Sequence, residues 1–157
     1  MRFRKAEVGE TAFIAAMWHK GWHEGHAAHV PADLVVMRTA DEFEARTAAH
    51  ITQTTVLEVD GQIAGFHMLD HDELYQFYVA KAFRGTGVAS TLMRHVEEAL
   101  QGRLAWLACA VGNERAARFY EKSGWERAKT ELYTVETAGG PMAVSCWRFE
   151  KDLTSAT

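Results

Sequence analysis

The feature that most constrains the fold is a strand, a glycine turn and a helix that follow one another between residues 73 and 100. The segment Glu73–Val79 is rich in aromatic and β-branched residues, which favour a half-buried strand. Arg84–Ala89 carries two glycines, and Val88, Leu92 and Val96 then recur every four residues, as they do on the buried face of a helix. This unit predicts a helix packed on a sheet, with the first turn of the helix beside the end of the strand.

The glycine turn has the composition of an anion site. The first amides of a helix lack intrahelical partners and lie at its positive end, so they can bind a phosphate. Gly85 and Gly87 remove the side chains that would keep a phosphate away, and Arg84 adds a charged donor. The turn suits a pyrophosphate, although a simple tight connection has the same composition. Its spacing matches neither the P-loop nor the dinucleotide-binding glycine pattern.

Length and charge narrow the class of protein. The chain has 157 residues, enough for one domain with a sizeable core, and we expect a single domain over residues 1–157. Its net charge of −4 argues weakly against a nucleic-acid partner, and no apolar run approaches the roughly 20 residues that span a membrane. The first residues lack the apolar stretch of a signal peptide, and Cys109 and Cys146 lie in apolar runs that favour buried free thiols. We therefore expect a cytoplasmic protein that binds neither membrane nor nucleic acid.

Hydrophobic periodicity predicts helices and strands in one mixed domain. Asp41 is a suitable cap for the second helix, and Asp60-Gly61 predicts a type I′ hairpin between two strands. The predicted strands are Phe3–Val8, Thr54–Val59, Gln62–Leu69, Glu73–Val79, Leu104–Val111, Arg127–Glu136 and Met142–Glu150. The predicted helices are Glu10–Lys20, Phe43–His50, Val88–Leu100 and Asn113–Lys122.

A second motif opens the helix that follows residue 112. Asn113, Ala116, Ala117 and Tyr120 lie at offsets 0, 3, 4 and 7, so they share one stripe of that helix. The two alanines leave room for a thin ligand, and Tyr120 places a neutral hydroxyl at its edge. Taken singly, the residues also suit an ordinary helix cap and a packed tyrosine. Their occurrence after a phosphate-type turn favours a ligand site.

Together the two motifs resemble those of the GCN5-related N-acetyltransferase (GNAT) superfamily of acyl-coenzyme A-dependent enzymes. The family's pyrophosphate loop, Gln/Arg-x-x-Gly-x-Gly/Ala, is matched by Arg84, Gly87 and Ala89. Its later signature, Asn-x-x-Ala-x-x-Phe-Tyr followed by Gly-Phe/Trp, is matched by Asn113, Ala116, Phe119, Tyr120, Gly124 and Trp125. Lys81 stands where many relatives carry proline. The resemblance implies an α+β fold with a V-shaped, mostly antiparallel sheet of about seven strands flanked by helices.

The resemblance also implies how acetyl-CoA, the co-substrate, is held. In the family a bulge splays the strand before the loop from its neighbour, and the pantetheine arm pairs with the backbone exposed there. Loop amides bind the pyrophosphate, Asn113 holds the pantetheine, and Tyr120 donates a proton to the departing thiolate. The implied cofactor-binding residues are Phe77, Tyr78, Val79, Arg84, Gly85, Thr86, Gly87, Val88, Ala89, Ser90 and Asn113.

The acceptor is expected to be a primary amine of a small molecule or peptide, which must be neutral to attack the thioester. Glu73 is the catalytic candidate for the base on the family's pattern, although a solvated strand-end carboxylate is the simpler interpretation. His67 and His71 are alternatives, because imidazole titrates in the useful range. Pocket candidates near the first helix are Trp18, Trp22 and His26, and candidates for the opposite wall are Tyr133 and Trp147.

The histidines after the first helix are ambiguous. His19 and His23 are four residues apart with Glu24 nearby, a weak zinc pattern, and solvated or structural histidines are the simpler interpretation for them and for His26 and His29. We therefore predict no metal cofactor.

Two other functions stay open on the sequence. One is a non-catalytic acyl-CoA-binding or sensor domain, against which Asn113 and Tyr120 argue. The other is a nucleotide-phosphate binder such as a small kinase, which would need a Walker lysine and a magnesium carboxylate. Dimers are common in the family, so a homodimer is one expected state, although no residue pattern locates an interface.

Overall fold

A seven-stranded sheet runs through the computed structural model, which describes residues 1–155. The strands are β1 (Arg2–Lys5), β2 (Thr54–Val59), β3 (Gln62–Asp70), β4 (Glu73–Val79), β5 (Leu104–Ala110), β6 (Glu126–Val135) and β7 (Met142–Asp152). The helices are α1 (Thr11–Gly25), α2 (Ala32–Met37), α3 (Ala40–His50), α4 (Val88–Ala99) and α5 (Glu114–Lys122). Within this part of the chain, no helix combines the length and the hydrophobicity needed to span a membrane.

The strands lie in the order β1-β2-β3-β4-β5-β7-β6, and all neighbours are antiparallel except β4 and β5. Helices α1 and α3 pack on one face of the sheet around Trp18, Phe43 and Phe66. Helices α4 and α5 pack on the other face, where Val96 and Leu107 are buried. The predicted α+β fold with a mostly antiparallel sheet is confirmed.

Differences from the predicted element bounds have local causes. Helix α1 continues past Lys20 to Gly25 because its last turns bury Trp22 against the core. Helix α3 begins before Asp41 and is capped by Thr39, whose hydroxyl accepts a hydrogen bond from an amide of the first turn. The short helix α2 was not predicted, because Leu34 is its one buried residue and gives no periodic signal.

The predicted hairpin between β2 and β3 is confirmed. Asp60 and Gly61 both have positive φ, at 51° and 76°, as a type I′ turn requires. The turn fixes the register of the two strands that precede β4.

Two irregularities of β4 open the sheet. The pairing of β4 with β3 shifts between Met68 and Leu69, which leaves Tyr75 as an extra, bulged residue. On its other side, within residues 1–155, β4 pairs with β5 only through Glu73 and Trp106. Beyond that pair the two strands diverge, which gives the sheet the V shape that the resemblance implied.

Candidate active site

A cavity of about 1020 Å³ lies where β4 and β5 diverge. Part of its wall comes from the splayed strands and α5, through Phe77, Tyr78 and Tyr120. Another part comes from the helices on the α1 side and from the end of β6, through Arg46 and Tyr133. Cys109 and Cys146 also line it, and both are free and buried as predicted. A ligand in this cavity would contact both the opened sheet and the side chains of α3.

The predicted pyrophosphate loop lies outside the residues that line the cavity. Gly85 and Gly87 have φ values of 76° and 86°, and there is open space where a Cβ would stand on either. The amide of Thr91 donates the first bond of α4, to Gly87 O at 3.1 Å, so the amides before it are free of helical partners. This backbone fits an anion. The Val88 side chain is buried, so only its amide is available to a ligand.

Arg84, at the start of the loop, already has a partner. Its Nη1 donates to Glu24 Oε2 on α1 at 3.1 Å, and the two side chains are 30% and 37% exposed. A partly exposed ion pair of this kind contributes about 1 kcal/mol or less. The guanidinium can therefore exchange Glu24 for a pyrophosphate at little cost.

Tyr120 extends from α5 into the cavity wall. Its ring packs on Phe149, with 5.6 Å between ring centres, and on Phe119 at 5.7 Å. Burial raises the pKa of the Tyr120 hydroxyl, and the nearby Cys109 thiol raises it further. The hydroxyl is therefore protonated at neutral pH.

Glu73 lies at the last point where β4 and β5 pair, and it is only 7% exposed. Tyr133 of β6 donates a hydrogen bond from its hydroxyl to Glu73 Oε2 at 2.6 Å. Burial raises the pKa of Glu73, the Tyr133 bond opposes that rise, and the charge of Asp70 adds to it. Glu73 is thus not the solvated carboxylate of the simpler interpretation. A buried carboxylate with a raised pKa is a stronger base than a solvated one.

The two histidine alternatives to Glu73 lie elsewhere. His67 is buried against α4, where its Nε2 is 3.0 Å from His95 Nδ1, and burial lowers its pKa to about 3. His71 lies in the exposed turn after β3, with its Nδ1 2.8 Å from Asp70 Oδ1. Neither residue lines the cavity, so neither is placed to act as the base.

Asn113 is the N-cap of α5. Its Oδ1 accepts a hydrogen bond from the amide of Ala116 at 3.3 Å, and its Nδ2 lies 3.3 Å from His26 Nδ1. The side chain is buried and is not part of the cavity wall. The ordinary cap is therefore present, and a contact of Asn113 with pantetheine would depend on the second N–H of its amide.

The three pocket candidates on α1 and just after it are not equivalent. Trp22 and His26 line the cavity, and burial lowers the pKa of His26 to about 4, so its imidazole is neutral. Trp18 is fully buried behind that wall, with its ring 5.3 Å from the ring of Phe43. The prediction that Trp18 lines the pocket is wrong, because its turn of α1 faces the core.

On the opposite side Tyr133 lines the cavity and Trp147 does not. Trp147 lies under the guanidinium of Arg127, 3.9 Å from its ring centre. Among the histidines of α1, the Nε2 of His23 is 2.9 Å from the carbonyl oxygen of Arg38. No group of three His, Cys, Asp or Glu residues in the described part of the chain is placed to hold a metal ion.

Sequence reasoning missed an ion pair in the cavity wall. Arg38 is 2% exposed and pairs with Glu42 on α3. Its Nη1 also donates to the carbonyl oxygen of Glu136 at 2.7 Å, and Glu42 Oε2 accepts from the amide of Ala138 at 3.3 Å. These contacts join α3 to the loop between β6 and β7.

Arg46 was also missed. Its guanidinium carbon lies 4.2 Å from the centre of the Trp18 ring, and its Nη2 donates to the hydroxyl of Tyr75 at 3.0 Å. The available signal was its position three residues after Phe43, which puts an arginine on the buried face of the predicted helix.

The splayed sheet, its cavity and the open start of α4 beside it form the arrangement expected of an acyl-CoA-dependent acyltransferase. The model of the Acetyltransferase (GNAT) family matches residues 15–125, which is most of the chain. The chain belongs to the GNAT acetyltransferase family.

Curated relatives agree with this assignment. Uncharacterized N-acetyltransferases of Mycobacterium tuberculosis (strain ATCC 25618 / H37Rv) and Mycobacterium bovis are each 38% identical to this chain over 84 residues. The match covers 48% of this chain and 54% of each relative, so it spans about half the length of those proteins.

Solved structures show the same fold. A GCN5-related N-acetyltransferase from Rhodopseudomonas palustris has a TM-score of 0.72 and 24% identity, over 94% of this chain and 93% of that one. PaiA N-acetyltransferase from Thermoplasma acidophilum, in complex with coenzyme A, has a TM-score of 0.68 and 15% identity, over 96% and 97%. YncA from Salmonella typhimurium, with its cofactor acetyl-CoA, has a TM-score of 0.67 and 16% identity, over 100% and 96%.

Proposed function

We propose that this protein transfers an acetyl group from acetyl-CoA to a primary amine of a small molecule or peptide, by direct attack of the amine. The observation that carries the proposal is that a single cavity at the opening of the sheet is lined by both Glu73 and Tyr120. In this proposal Glu73 is a buried base and Tyr120 is a protonated acid. Membership of the GNAT family supports the transferase chemistry, and the coenzymes in related structures support the donor.

Two features of the chain fit acetyl-CoA. The left-handed turn at Gly85 and Gly87 leaves open space and free amides for a pyrophosphate, from Gly85 to Ser90. The β4 backbone from Phe77 to Val79 lies beyond the last pair with β5, so it can bond a pantetheine arm. When bound, acetyl-CoA supplies the thioester whose C–S bond is broken.

Each proton in the reaction then has a side chain to hold it. Glu73 accepts the proton that the amine nitrogen loses as the new C–N bond forms. Tyr120 donates its hydroxyl proton to the thiolate sulfur as the C–S bond breaks. The products are the acetylated amine and the free thiol of coenzyme A, and proton exchange with solvent restores both side chains.

Substitution of Tyr120 by Phe tests the acid. The variant keeps the ring that packs on Phe149 and removes the proton donor. We expect the rate of thiol release from acetyl-CoA to fall by about 10²–10⁴-fold, the usual contribution of general acid–base catalysis. Acetyl-CoA affinity, measured by titration of the same variant, should be unchanged.

A loss smaller than about threefold would contradict the role of Tyr120, because it is far below the expected contribution. If the wild-type protein binds acetyl-CoA and releases no thiol with any amine of a broad panel, the non-catalytic acyl-CoA-binding alternative is correct.

A further inference from the structure

Arg46 brings a positive charge to the cavity wall, and no carboxylate within residues 1–155 forms an ion pair with it. Its Nε and Nη1 atoms are buried and have no hydrogen-bond acceptor within residues 1–155. Its Nη2 donates to the hydroxyl of Tyr75, which is a neutral acceptor. A buried charge without a counter-charge is costly, so this guanidinium is suited to an anionic ligand.

The nearest ion pair of α3 does not relieve that charge. Glu42 is bonded to Arg38 and to the amide of Ala138. Burial lowers the pKa of Arg38 and the positive charge of Arg46 lowers it further, so the two guanidinium groups lie close enough to repel each other. Glu42 is thus engaged by Arg38 and does not form an ion pair with Arg46.

Aromatic rings offset only part of this cost. The guanidinium carbon of Arg46 is 4.2 Å from the ring centre of Trp18 and 5.5 Å from that of Phe43. A desolvated cation–π contact is favourable but does not neutralise the charge. The rings hold the guanidinium in place and leave it cationic.

Tyr75 supplies a second donor beside Arg46. Because its hydroxyl oxygen accepts the bond from Arg46 Nη2, its own proton is free to be donated to a ligand. The His50 ring packs on Tyr75, with 4.7 Å between ring centres, and limits the orientations of the phenol. Arg46 and Tyr75 together therefore resemble the paired donors that bind a carboxylate.

Acidic side chains lie in the same cavity wall, near the start of β4. Glu73 and Tyr75 are two residues apart on β4 and line the same cavity. Asp70 also lines the cavity beside Glu73. One small molecule with both an amine and an anionic group can therefore contact both parts of this wall.

We propose that the acceptor is an amino acid, whose amine lies at Glu73 and whose carboxylate is bound by Arg46 and Tyr75. This inference rests on the proposed function, because it names the acceptor class of that same site.

Matched acceptor pairs test it. Each pair contains an amino acid and the amine that remains when its carboxylate is removed, such as phenylalanine and phenethylamine, leucine and 3-methylbutylamine, or methionine and 3-(methylthio)propylamine. Thiol release from acetyl-CoA gives kcat and KM for each compound. We expect the wild-type protein to prefer at least one amino acid over its partner by about 10- to 100-fold in kcat/KM, the effect of a charge-assisted hydrogen bond.

The variants assign this preference to the two residues. Arg46→Gln should reduce it to nearly one, mainly through a higher KM for the amino acid. Arg46→Lys keeps the charge and should retain part of the preference. Tyr75→Phe removes the hydroxyl and keeps the packed ring, and it should lower the preference. Arg2→Gln removes an exposed positive charge on β1, outside the cavity, and should leave the preference unchanged.

The two proposals fail in different ways. If neither member of any pair, nor any other amine, releases thiol, the proposed function is wrong and this inference falls with it. If amines react but the wild type uses carboxylate-free amines as well as amino acids, the inference alone is wrong. If the preference for amino acids persists in folded Arg46→Gln and Tyr75→Phe variants, these residues do not bind the carboxylate, which also overturns the inference.

Discussion

Substitution of Tyr133 by Phe should move the acid limb of the pH–rate profile to higher pH. Glu73 must be ionised to accept a proton, so kcat/KM falls as the pH drops through its pKa. Tyr133 donates a 2.6 Å hydrogen bond to Glu73 Oε2, and this bond stabilises the ionised form. The Tyr133→Phe variant removes that donor and leaves the opposing effect of burial in place.

The expected displacement of the acid limb follows from the burial of the hydrogen bond between Glu73 and Tyr133. Glu73 is only 7% exposed, so solvent cannot fully replace the lost donor. A hydrogen bond to a charged group contributes about 1.5–3 kcal/mol, and 1.4 kcal/mol corresponds to one pH unit. The acid limb should therefore move upward by about one to two pH units.

The assay is kcat/KM for thiol release, measured over the whole pH range in which the wild type and the variants stay folded. Wild type, Tyr133→Phe, Glu73→Gln and the double variant form a cycle. Because the acceptor amine also titrates, kcat/KM is expressed per concentration of neutral amine. On that scale Glu73→Gln should lack the acid limb, and Tyr133→Phe should add nothing to it in the double variant. A limb that stays in place or moves to lower pH in Tyr133→Phe would refute the reasoning, as would a limb that survives in Glu73→Gln.

Two further predictions concern the scaffold around the site. In Gly21→Ala the new Cβ would stand 2.5 Å from Tyr78 Cδ1, so the Tyr78 ring must move. We expect a loss of about 1–3 kcal/mol in urea unfolding and weaker acetyl-CoA binding, whereas Gly9→Ala, with open space at its Cβ, should change neither. The pKa of His67 falls from 6.5 to about 3 in the folded protein, so the stability contributed by its neutral form is present above pH 6.5 and is lost as the pH falls towards 3. His67→Gln should therefore lose less stability than wild type between about pH 7 and pH 4, and an equal loss in urea unfolding would contradict this.

Local signals in the sequence were sufficient for most elements and for the glycine turn. The turn at Gly85 and Gly87 is specified by residues that adopt positive φ, and the hairpin at Asp60-Gly61 by its own two residues. Such features depend on a few adjacent residues. They can therefore be predicted without knowledge of the rest of the chain.

The cavity wall could not be predicted in the same way. Trp18 and Trp22 lie one turn apart on α1 and look alike in a periodic pattern, yet one is core and the other borders the cavity. Periodicity identifies the buried face of a helix, but not the part of that face which meets an opening. The opening depends on the divergence of β4 from β5, which is a contact between distant segments.

Because of the bulge at Tyr75, both halves of β4 contribute side chains to the cavity. Tyr75 and Tyr78 both pack with the core on the α1 side, although residues three apart point to opposite faces of a regular strand. Phe77 packs on the other face, with its ring 5.5 Å from that of Phe119. The extra residue reverses the alternation, so the first half of β4 turns Glu73 and Tyr75 towards the cavity while the second half turns Tyr78 to the same side. Without the bulge, either Glu73 or Tyr78 would face α4. The composition of the cavity wall therefore depends on a backbone irregularity that the alternation of side chains in the sequence does not reveal.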